Sequence, residues 1–220
     1  MSDILHIYLL RHARQISPLC NVDVSIADEG LLQSKLVAKR LKKYNIDKVY
    51  SSNLIRAKMT ADIIRNEIGI KDCGNCEIDD LRETDFGYLT GLSDEVIKKQ
   101  YCDYFNTREN SLEDISIPGG ENGIQVYQRM NDAISSIIDN GIRNNYKNIV
   151  IVSHGGAIRC YLAGLLGMPF GKRFAIAKNM ENCSITQIDY HINNRNYSVE
   201  KINDYSHLEK YENLLRKNFK

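Results

Sequence analysis

The sequence predicts an α/β fold of three layers, α/β/α, in which helices cover both faces of a mainly parallel central sheet. Two observations support this prediction. Short apolar segments typical of buried strands alternate with longer amphipathic segments typical of helices. Apolar residues make up 43% of the 220 residues, which is enough to bury an ordinary core. We therefore expect one domain over residues 1–220.

The order of the elements follows from these patterns. The apolar segment 4–10 predicts the first strand, and the segment 148–153 predicts the clearest strand of the chain. The other predicted strands are 47–51, 77–79, 182–189 and 197–202. Apolar residues at helical spacing predict helices over 28–44, 53–68, 93–104, 122–142, from 154 to about 166, and over 205–218.

A small inserted cap is predicted over about residues 88–118, before the long helix. The segment 105–120 combines charged residues with Pro118 and two glycines, which indicates a loop. The C-terminal helix 205–218 has one apolar face. That face could pack on the sheet or on a second copy of the chain, so a homodimer stays an open alternative.

The composition argues against several classes of partner. The formal net charge is +1, so no general basic field attracts nucleic acid or a membrane surface. No apolar segment is long enough to span a bilayer, and the first residues do not form a signal peptide. We expect a cytoplasmic protein whose 6 cysteines are free thiols. Cys73 and Cys76 lack a second ligand pair nearby, so no metal and no cofactor are predicted.

Polar residues follow four of the predicted strands. Arg11 and His12 follow the first strand, Arg56 lies just past the second, Glu83 follows the third, and His154 follows the fourth. Ligands of α/β sheets bind beyond the carboxyl ends of the strands. Each residue taken alone is more often a structural or surface group. Because all of them reach one edge of the predicted sheet, a shared site is the stronger interpretation.

This set of side chains suits phosphoryl transfer. Two arginines offer forked donors that match phosphoryl oxygens. The turn His154-Gly155-Gly156 begins a helix, where backbone N–H groups and the helix dipole favour an anion. A histidine can attack phosphorus, and Glu83 in an anionic pocket would be pushed toward its protonated form and could give a proton to a leaving group. The positive charge already present makes a metal dispensable.

These residues lie in motifs that resemble those of the histidine phosphatase superfamily, the phosphoglycerate-mutase-like proteins. The resemblance covers most of residues 4–189, and its motifs occur in the family's order. They are Leu10-Arg11-His12-Ala13; Asp23 to Gly30 with Gln33-Ser34; Ser51-Ser52-Asn53-Leu54-Ile55-Arg56-Ala57 with Thr60-Ala61; Leu81-Arg82-Glu83 with Gly87; Pro118-Gly119-Gly120-Glu121; and Ser153-His154-Gly155-Gly156.

The resemblance implies a role for each matching residue. His12 would be the nucleophile that forms a phosphohistidine. Arg11, Arg56 and His154 would hold the phosphoryl group. Glu83 would donate a proton to the leaving alkoxide and then activate water. The implied partner is a small phosphorylated metabolite.

The sequence departs from the family pattern at two places near the nucleophile. Ala13 stands where the family usually has glycine, and we expect its small methyl group to be tolerated. The family often places an asparagine in the phosphate pocket a few residues after the histidine. Here the register is open, so Asn21 or Ser17 could serve, or neither.

Three functions are compatible with this resemblance. The residues after Glu83, Thr-Asp-Phe-Gly, resemble the phosphatase branch, in particular the broad-specificity and α-ribazole phosphatases. The balance of charge in the cap is acidic and offers no clear clamp for a sugar-acid carboxylate. We therefore expect a metal-independent phosphoric monoester hydrolase. A phosphoglycerate-mutase activity is the alternative within the family, and a non-catalytic phosphate-binding protein is the alternative outside enzymes.

Overall fold

A five-stranded mixed sheet forms the centre of the computed structural model, which describes residues 3–70 and 74–216. The strand order is β2-β3-β1-β4-β5. The parallel pairs are β1 with β3 and β2 with β3, whereas β4 runs antiparallel to both of its neighbours. Four of the five described strands thus share one direction. The strands are β1 (Ile4–Arg11), β2 (Lys48–Ser51), β3 (Asn148–Ser153), β4 (Ile185–His191) and β5 (Asn196–Asp204).

Helices cover both faces of the sheet, as the sequence predicts. Helices α1 and α2 pack on one face, and α5 and α6 pack on the other. Alternation along β1 explains the two layers: Leu5, Ile7 and Leu9 enter one apolar core, whereas Tyr8 and Leu10 enter the other. The α-helices of the described residues are α1 (Asp28–Leu41), α2 (Ile55–Ile68), α3 (Asp94–Gln100), α4 (Cys102–Asn110), α5 (Gly123–Arg143) and α6 (Gly155–Leu165).

The predicted strand at 77–79 is wrong. Glu77 forms a single parallel bridge with Ser51, and the chain then turns into the 3₁₀ helix Asp79–Leu81. The single bridge continues the sheet for one residue only. The chain still runs beside the outer strand of the sheet. Glu83 therefore lies at the carboxyl end of the strands, where a full strand would also have ended.

The region between residues 88 and 118 contains α3, α4 and an apolar cluster of its own, which is built on Leu89, Ile97 and Ile117. The helical prediction over 93–104 is confirmed, but the chain breaks at Tyr101 and forms two helices instead of one. The predicted loop is wrong over its first residues, since α4 continues to Asn110. The guanidinium of Arg108 lies 4.6 Å from the ring centre of Phe105 and 4.2 Å from that of Phe174, which stabilises this polar helical turn.

The helix predicted over 205–218 is wrong for the part that the structure describes. Residues 205–216 form turns and the short 3₁₀ helix Glu212–Leu214. Side chains elsewhere bind the backbone of this tail: Gln33 Nε2 donates to the carbonyl of Leu214 at 2.8 Å, and the carboxylate of Glu181 accepts from Arg216 N. These tertiary contacts override the helical pattern. Residues 217 and 218 lie outside the described residues.

Five of the six cysteines fall within the described residues, and Cys20, Cys102, Cys160 and Cys183 among them are free thiols as predicted. The sixth, Cys73, lies outside the described residues, and with it the predicted Cys73–Cys76 pair. Among the described helices, none is both long and apolar enough to cross a membrane. The cytoplasmic location stays a prediction.

A buried ion pair joins the end of the cap region to the segment after α6. Arg173 Nη1 lies 3.0 Å from Asp114 Oδ1, and the two side chains are only 4% and 7% exposed. Asp114 also accepts from the backbone N–H groups of Gly123 and Ile124, at 2.9 and 2.7 Å, at the start of α5. One carboxylate therefore neutralises a buried cation and caps a helix.

Replacing Asp114 by Asn would leave the Arg173 cation buried without its counter-charge. We expect the free energy of unfolding to fall by about 3 kcal/mol, measured by urea titration. Glu77→Gln is the matched control, because Glu77 pairs with Lys58 at an exposed position. An equal loss in both variants would contradict the buried role of Asp114.

Candidate active site

The carboxyl ends of the three parallel strands meet at one edge of the sheet. Arg11 of β1 pairs with Ser153 of β3, and Ser51 of β2 pairs with Val152 of β3. The backbone N–H of His12 donates to the Ser153 carbonyl at 2.8 Å and so continues the ladder by one residue. A cleft of about 770 Å³ opens above this edge, and Arg11, His12, Arg56 and Glu83 line it.

His12 is buried, and its hydrogen bonds fix its tautomer. Its Nδ1 lies 2.7 Å from the carbonyl oxygen of Ala13, which can only accept a hydrogen bond. Nδ1 therefore carries the proton, and Nε2 keeps its lone pair. Burial lowers the pKa of His12 well below its ordinary value, and the nearby cations Arg11 and Arg56 lower it further. The ring is therefore neutral at pH 7, the state in which its Nε2 is a nucleophile.

The backbone around His12 is held from two sides. Asn182 Nδ2 donates to the carbonyl of His12 at 2.8 Å, and the N–H of Ala13 donates to Thr60 Oγ1 at 3.0 Å. Ala13 is fully buried, and it is not among the residues with a positive φ. The methyl group of this alanine therefore costs no backbone strain, in agreement with the expected tolerance.

Arg56 and Arg11 each keep one buried N–H without a partner. Arg56 donates through Nη1 to the Val22 carbonyl and through Nη2 to Asn21 Oδ1, both at 2.9 Å. Arg11 donates through Nη1 to the Met180 carbonyl at 2.5 Å. The Nε atoms of both arginines are buried and form no hydrogen bond with the described residues. Burial and the neighbouring Arg216 lower the pKa of Arg11 to about 9, so it remains charged at neutral pH.

His154 lies beside His12 and is fully buried. The two ring centres are 5.0 Å apart. His154 Nε2 forms a hydrogen bond of 2.7 Å with Ser52 Oγ, whereas its Nδ1 is a third buried nitrogen without a partner in the described chain. Burial, His12 and Arg56 all lower the pKa of His154 well below its ordinary value.

Glu83 binds the start of helix α6. Its Oε1 accepts from the backbone N–H groups of Thr84 and Ala157, at 2.8 and 2.9 Å, and its Oε2 accepts from that of Gly156 at 3.2 Å. The sequence predicts that the first N–H groups of this helix bind a phosphoryl anion, which stays a prediction. In the structure the N–H groups of Gly156 and Ala157 donate to Glu83, so these two donors are not free for a phosphoryl group. The protonated form expected for Glu83 stays a prediction.

Arg129 of α5 fixes the segment that carries Glu83. Its Nη1 donates to the carbonyls of Asp80 and Arg82, both at 2.8 Å, and its Nη2 donates to that of Glu83 at 3.0 Å. Its other contacts are two bonds of 2.8 Å to the Glu121 carboxylate. Burial alone would raise the pKa of Glu121, but the bonds from Arg129 and from the backbone hold it below its ordinary value. This buried pair replaces the missing strand as the support of Glu83.

The remaining predicted residues lie around this centre. Asn21 adopts a left-handed backbone conformation (φ 48°), which asparagine tolerates well, and orients Arg56. Ser17 lines the cleft, and its Oγ accepts from the N–H of Leu19 at 3.2 Å. Gly155 lies beside Arg11: a β-carbon built on it would be 3.4 Å from Arg11 Nε.

Sequence reasoning missed three residues of the site: Asn182, Arg129 and Arg216. Asn182 just precedes β4, which runs antiparallel to β1, so the beginning of β4 lies at the edge where the parallel strands end. The polar stretch before that strand was a usable signal. Arg129 on a helix and Arg216 in the tail carried none, because only the tertiary fold brings them to the site.

Comparison with known proteins shows the family of the chain. The model of the histidine phosphatase superfamily (branch 1) matches residues 7–204. The chain belongs to this superfamily. The resemblance of its motifs to those of histidine phosphatases is thereby confirmed.

Relatives of this chain carry more than one functional name. The "Probable phosphoglycerate mutase GpmB" of Yersinia pestis (strain Pestoides F) is 30% identical over 195 residues, which cover 84% of this chain and 85% of the relative. The native structure of a mycobacterial glucosyl-3-phosphoglycerate phosphatase is 23% identical, with a TM-score of 0.78, over 91% of this chain and 99% of that one. YhfR of Bacillus stearothermophilus is 23% identical, with a TM-score of 0.79, over 93% and 100%. The two structures support the α/β fold.

Within residues 3–70 and 74–216, no group of three or more His, Cys, Asp or Glu side chains is arranged to hold a metal ion. The charged groups that the described cleft contains are instead arginines and carboxylates. They are Arg11, Arg14, Arg56, Arg216, Glu29, Glu83 and Asp94.

The lowered pKa values of His12 and His154 predict a pH dependence of stability. Below pH 6.5 the unfolded chain binds protons at these histidines and the folded chain does not. The free energy of unfolding should therefore fall from pH 7 to pH 5, by up to about 1.4 kcal/mol per pH unit for each histidine. Urea unfolding across this range should give a smaller slope for His12→Asn than for the native chain. Equal slopes would contradict a neutral, buried His12.

The contact between Glu83 and α6 predicts a steric variant. A β-carbon on Gly156 would lie 2.6 Å from Glu83 Oε1 and 2.9 Å from Thr84 Oγ1. We expect Gly156→Ala to displace the carboxylate. Because the resemblance to the family implies that Glu83 is a general acid, we also expect kcat to fall by about 100-fold, a typical contribution of such a group. In Gly155→Ala the added β-carbon would lie 3.4 Å from its nearest neighbour, so kcat should fall less. The reverse order of the two losses would contradict this position of Glu83.

Proposed function

We propose that the protein is a phosphatase of small phosphomonoesters that works through a phosphohistidine on His12. One observation carries this proposal: Arg11 Nε, Arg56 Nε and His154 Nδ1 are buried polar atoms that have no hydrogen-bond partner among the described residues. Their side chains surround the neutral His12. Buried polar groups are nearly always hydrogen-bonded, so three unpartnered nitrogens around one nucleophile indicate a ligand with several acceptor oxygens. A phosphoryl group fits this requirement.

The first step would transfer the phosphoryl group to His12. Its Nε2 attacks phosphorus, and the bond from phosphorus to the ester oxygen breaks. Arg11, Arg56 and His154 bind the phosphoryl oxygens as charge shifts between them. Glu83, in its protonated form, gives its proton to the leaving oxygen, so the product leaves as an alcohol.

The second step would regenerate the histidine. Glu83, now a carboxylate, takes a proton from a water molecule, and the oxygen of this water attacks the phosphorus of the phosphohistidine. The N–P bond breaks, the electron pair returns to Nε2, and inorganic phosphate leaves. The arginines supply the positive charge in both steps, so the proposal requires no metal.

We propose that residues 1–220 act as one domain and that the segment 88–118 serves as its cap. The apolar cluster of this segment reaches Phe86 and Cys20, which line the cleft, and Asp94 lies at the start of α3 on the same cleft. A cleft covered in this way favours a small phosphorylated metabolite over a protein substrate. In this proposal Asn21 and Ser17 do not contact the phosphoryl group. Asn21 acts on it indirectly by orienting Arg56, and Ser17 stabilises the loop that lines the cleft.

The mutase alternative rests on the relative that is named a probable phosphoglycerate mutase. A mutase would pass the phosphoryl group of His12 to a second hydroxyl of a phosphoglycerate instead of to water. Incubation with 3-phosphoglycerate separates the two activities: a phosphatase releases inorganic phosphate, and a mutase forms 2-phosphoglycerate.

The primary test is the release of phosphate from p-nitrophenyl phosphate in the presence of EDTA. We expect turnover by the native chain and none by His12→Ala, because the nucleophile is lost. The matched control is His191→Ala, since His191 pairs with Ile4 at the far end of β1 and should not affect turnover. Turnover that EDTA abolishes, or that survives in His12→Ala, would refute the proposal.

A further inference from the structure

Arg216, in the C-terminal tail, is a cation of the cleft that takes no part in the proposed phosphoryl transfer. Its side chain lines the cleft together with His12 and Arg11. The described salt bridges do not include Arg216. By contrast, Arg14 on the same cleft lies 3.4 Å from the carboxylate of Glu29. The guanidinium of Arg216 thus adds positive charge to the cleft without forming a described salt bridge.

The tail is fixed in the position that brings Arg216 to the cleft. Leu214 and Leu215, which directly precede it, are buried in the apolar core beneath α1 and α2. The Gln33 side chain joins this tail to the segment that follows His12. Its Oε1 accepts from the N–H of Arg14 at 2.9 Å, and its Nε2 donates to the Leu214 carbonyl at 2.8 Å. Buried groups therefore hold the backbone that leads to Arg216, whereas Arg216 itself is exposed.

A second contact connects Arg216 with the nucleophile segment. The N–H of Arg216 donates to the two oxygens of the Glu181 carboxylate, at 3.2 and 3.0 Å. Glu181 Oε1 also accepts from the N–H of Asn182, whose side chain donates to the His12 carbonyl at 2.8 Å. The charge of Arg216 reaches this centre, since it contributes to the lowered pKa values of Arg11 and His12.

The size of the cleft leaves room for more than a phosphoryl group. Its volume of about 770 Å³ could hold a leaving group of metabolite size. A guanidinium is a planar fork that matches a carboxylate with two parallel hydrogen bonds. The carboxylates of Glu29 and Asp94 also line the cleft, and each repels an anionic leaving group that comes near it. An acidic leaving group therefore has its best partner at Arg216.

We propose that Arg216 is a specificity residue that binds a carboxylate on the leaving group, so that the preferred substrates are phosphomonoesters of small carboxylic acids. This inference rests on the proposed phosphatase activity and assigns a substrate class to it. The phosphoryl group stays with Arg11, Arg56 and His154. Arg216 contacts the other end of the substrate and acts mainly on binding.

The test compares O-phosphoserine with O-phosphoethanolamine, which differ by one carboxylate, in the presence of EDTA. The native chain should prefer phosphoserine. In Arg216→Gln the ratio of the two kcat/KM values should fall by about tenfold, mainly through the KM of phosphoserine, because a charge-assisted bond is lost. Arg216→Lys should keep part of the preference, since it keeps the charge and loses the fork. Lys210→Gln, an exposed cation on the same tail but outside the cleft, is the matched control and should leave the ratio unchanged.

Four outcomes would overturn the inference. If both kcat/KM values are unchanged in Arg216→Gln, Arg216 does not contact the carboxylate. An equal fall for both substrates means that Arg216 acts on the phosphoryl group or on the fold, and thermal unfolding of the variant separates these two causes. If the native chain hydrolyses p-nitrophenyl phosphate and phosphoethanolamine but does not prefer phosphoserine, the assigned substrate class is wrong while the phosphatase activity stands. If it hydrolyses none of the three, the proposed function itself fails and this inference falls with it.

Discussion

Repulsion between like charges at the carboxyl edge of the sheet is the constraint on which the site depends. Two buried histidines lie near the cations Arg11, Arg56 and Arg216. The fold holds these groups together although each of them lowers the pKa of its neighbours. The proposed nucleophile benefits directly, because burial and then these cations keep His12 neutral where an exposed histidine would titrate. Under the proposed function, the same repulsion favours an anion in the cleft: a phosphoryl group that enters would offset the charge and satisfy buried donors in one step.

The surrounding structure offsets the cost of that repulsion with hydrogen bonds that position the site. Arg129 holds three carbonyls on the segment that carries Glu83, and the start of α6 binds the carboxylate of Glu83 itself. Ser52 binds His154, and Asn182 binds the backbone of His12. Each reacting group is thus fixed by a partner on a different element. Such preorganisation is what phosphoryl transfer requires of a protein.

The sequence predicts the centre of this site better than its margins, for a physical reason. His12, Arg56 and His154 follow short strands and helices whose patterns are local, so the strand-end rule suffices to bring them together. Glu83 reaches the site although its strand does not form, because Arg129 supplies a support that no local pattern reveals. The tail shows the opposite case: a helical pattern is present, but Gln33 and Glu181 bind its backbone in another conformation. Long-range contacts of this kind leave no periodic signal.

The most direct test of this account is to look for the phosphoryl group on His12. A native sample mixed with p-nitrophenyl phosphate and quenched in alkali within the first turnover should carry one phosphoryl group, which peptide mapping by mass spectrometry should assign to His12. The modification should be stable in alkali and lost in acid, as expected for a phosphoryl group on a ring nitrogen. Turnover without any modification of His12, or with the phosphoryl group on another residue, would contradict a neutral buried histidine as the nucleophile.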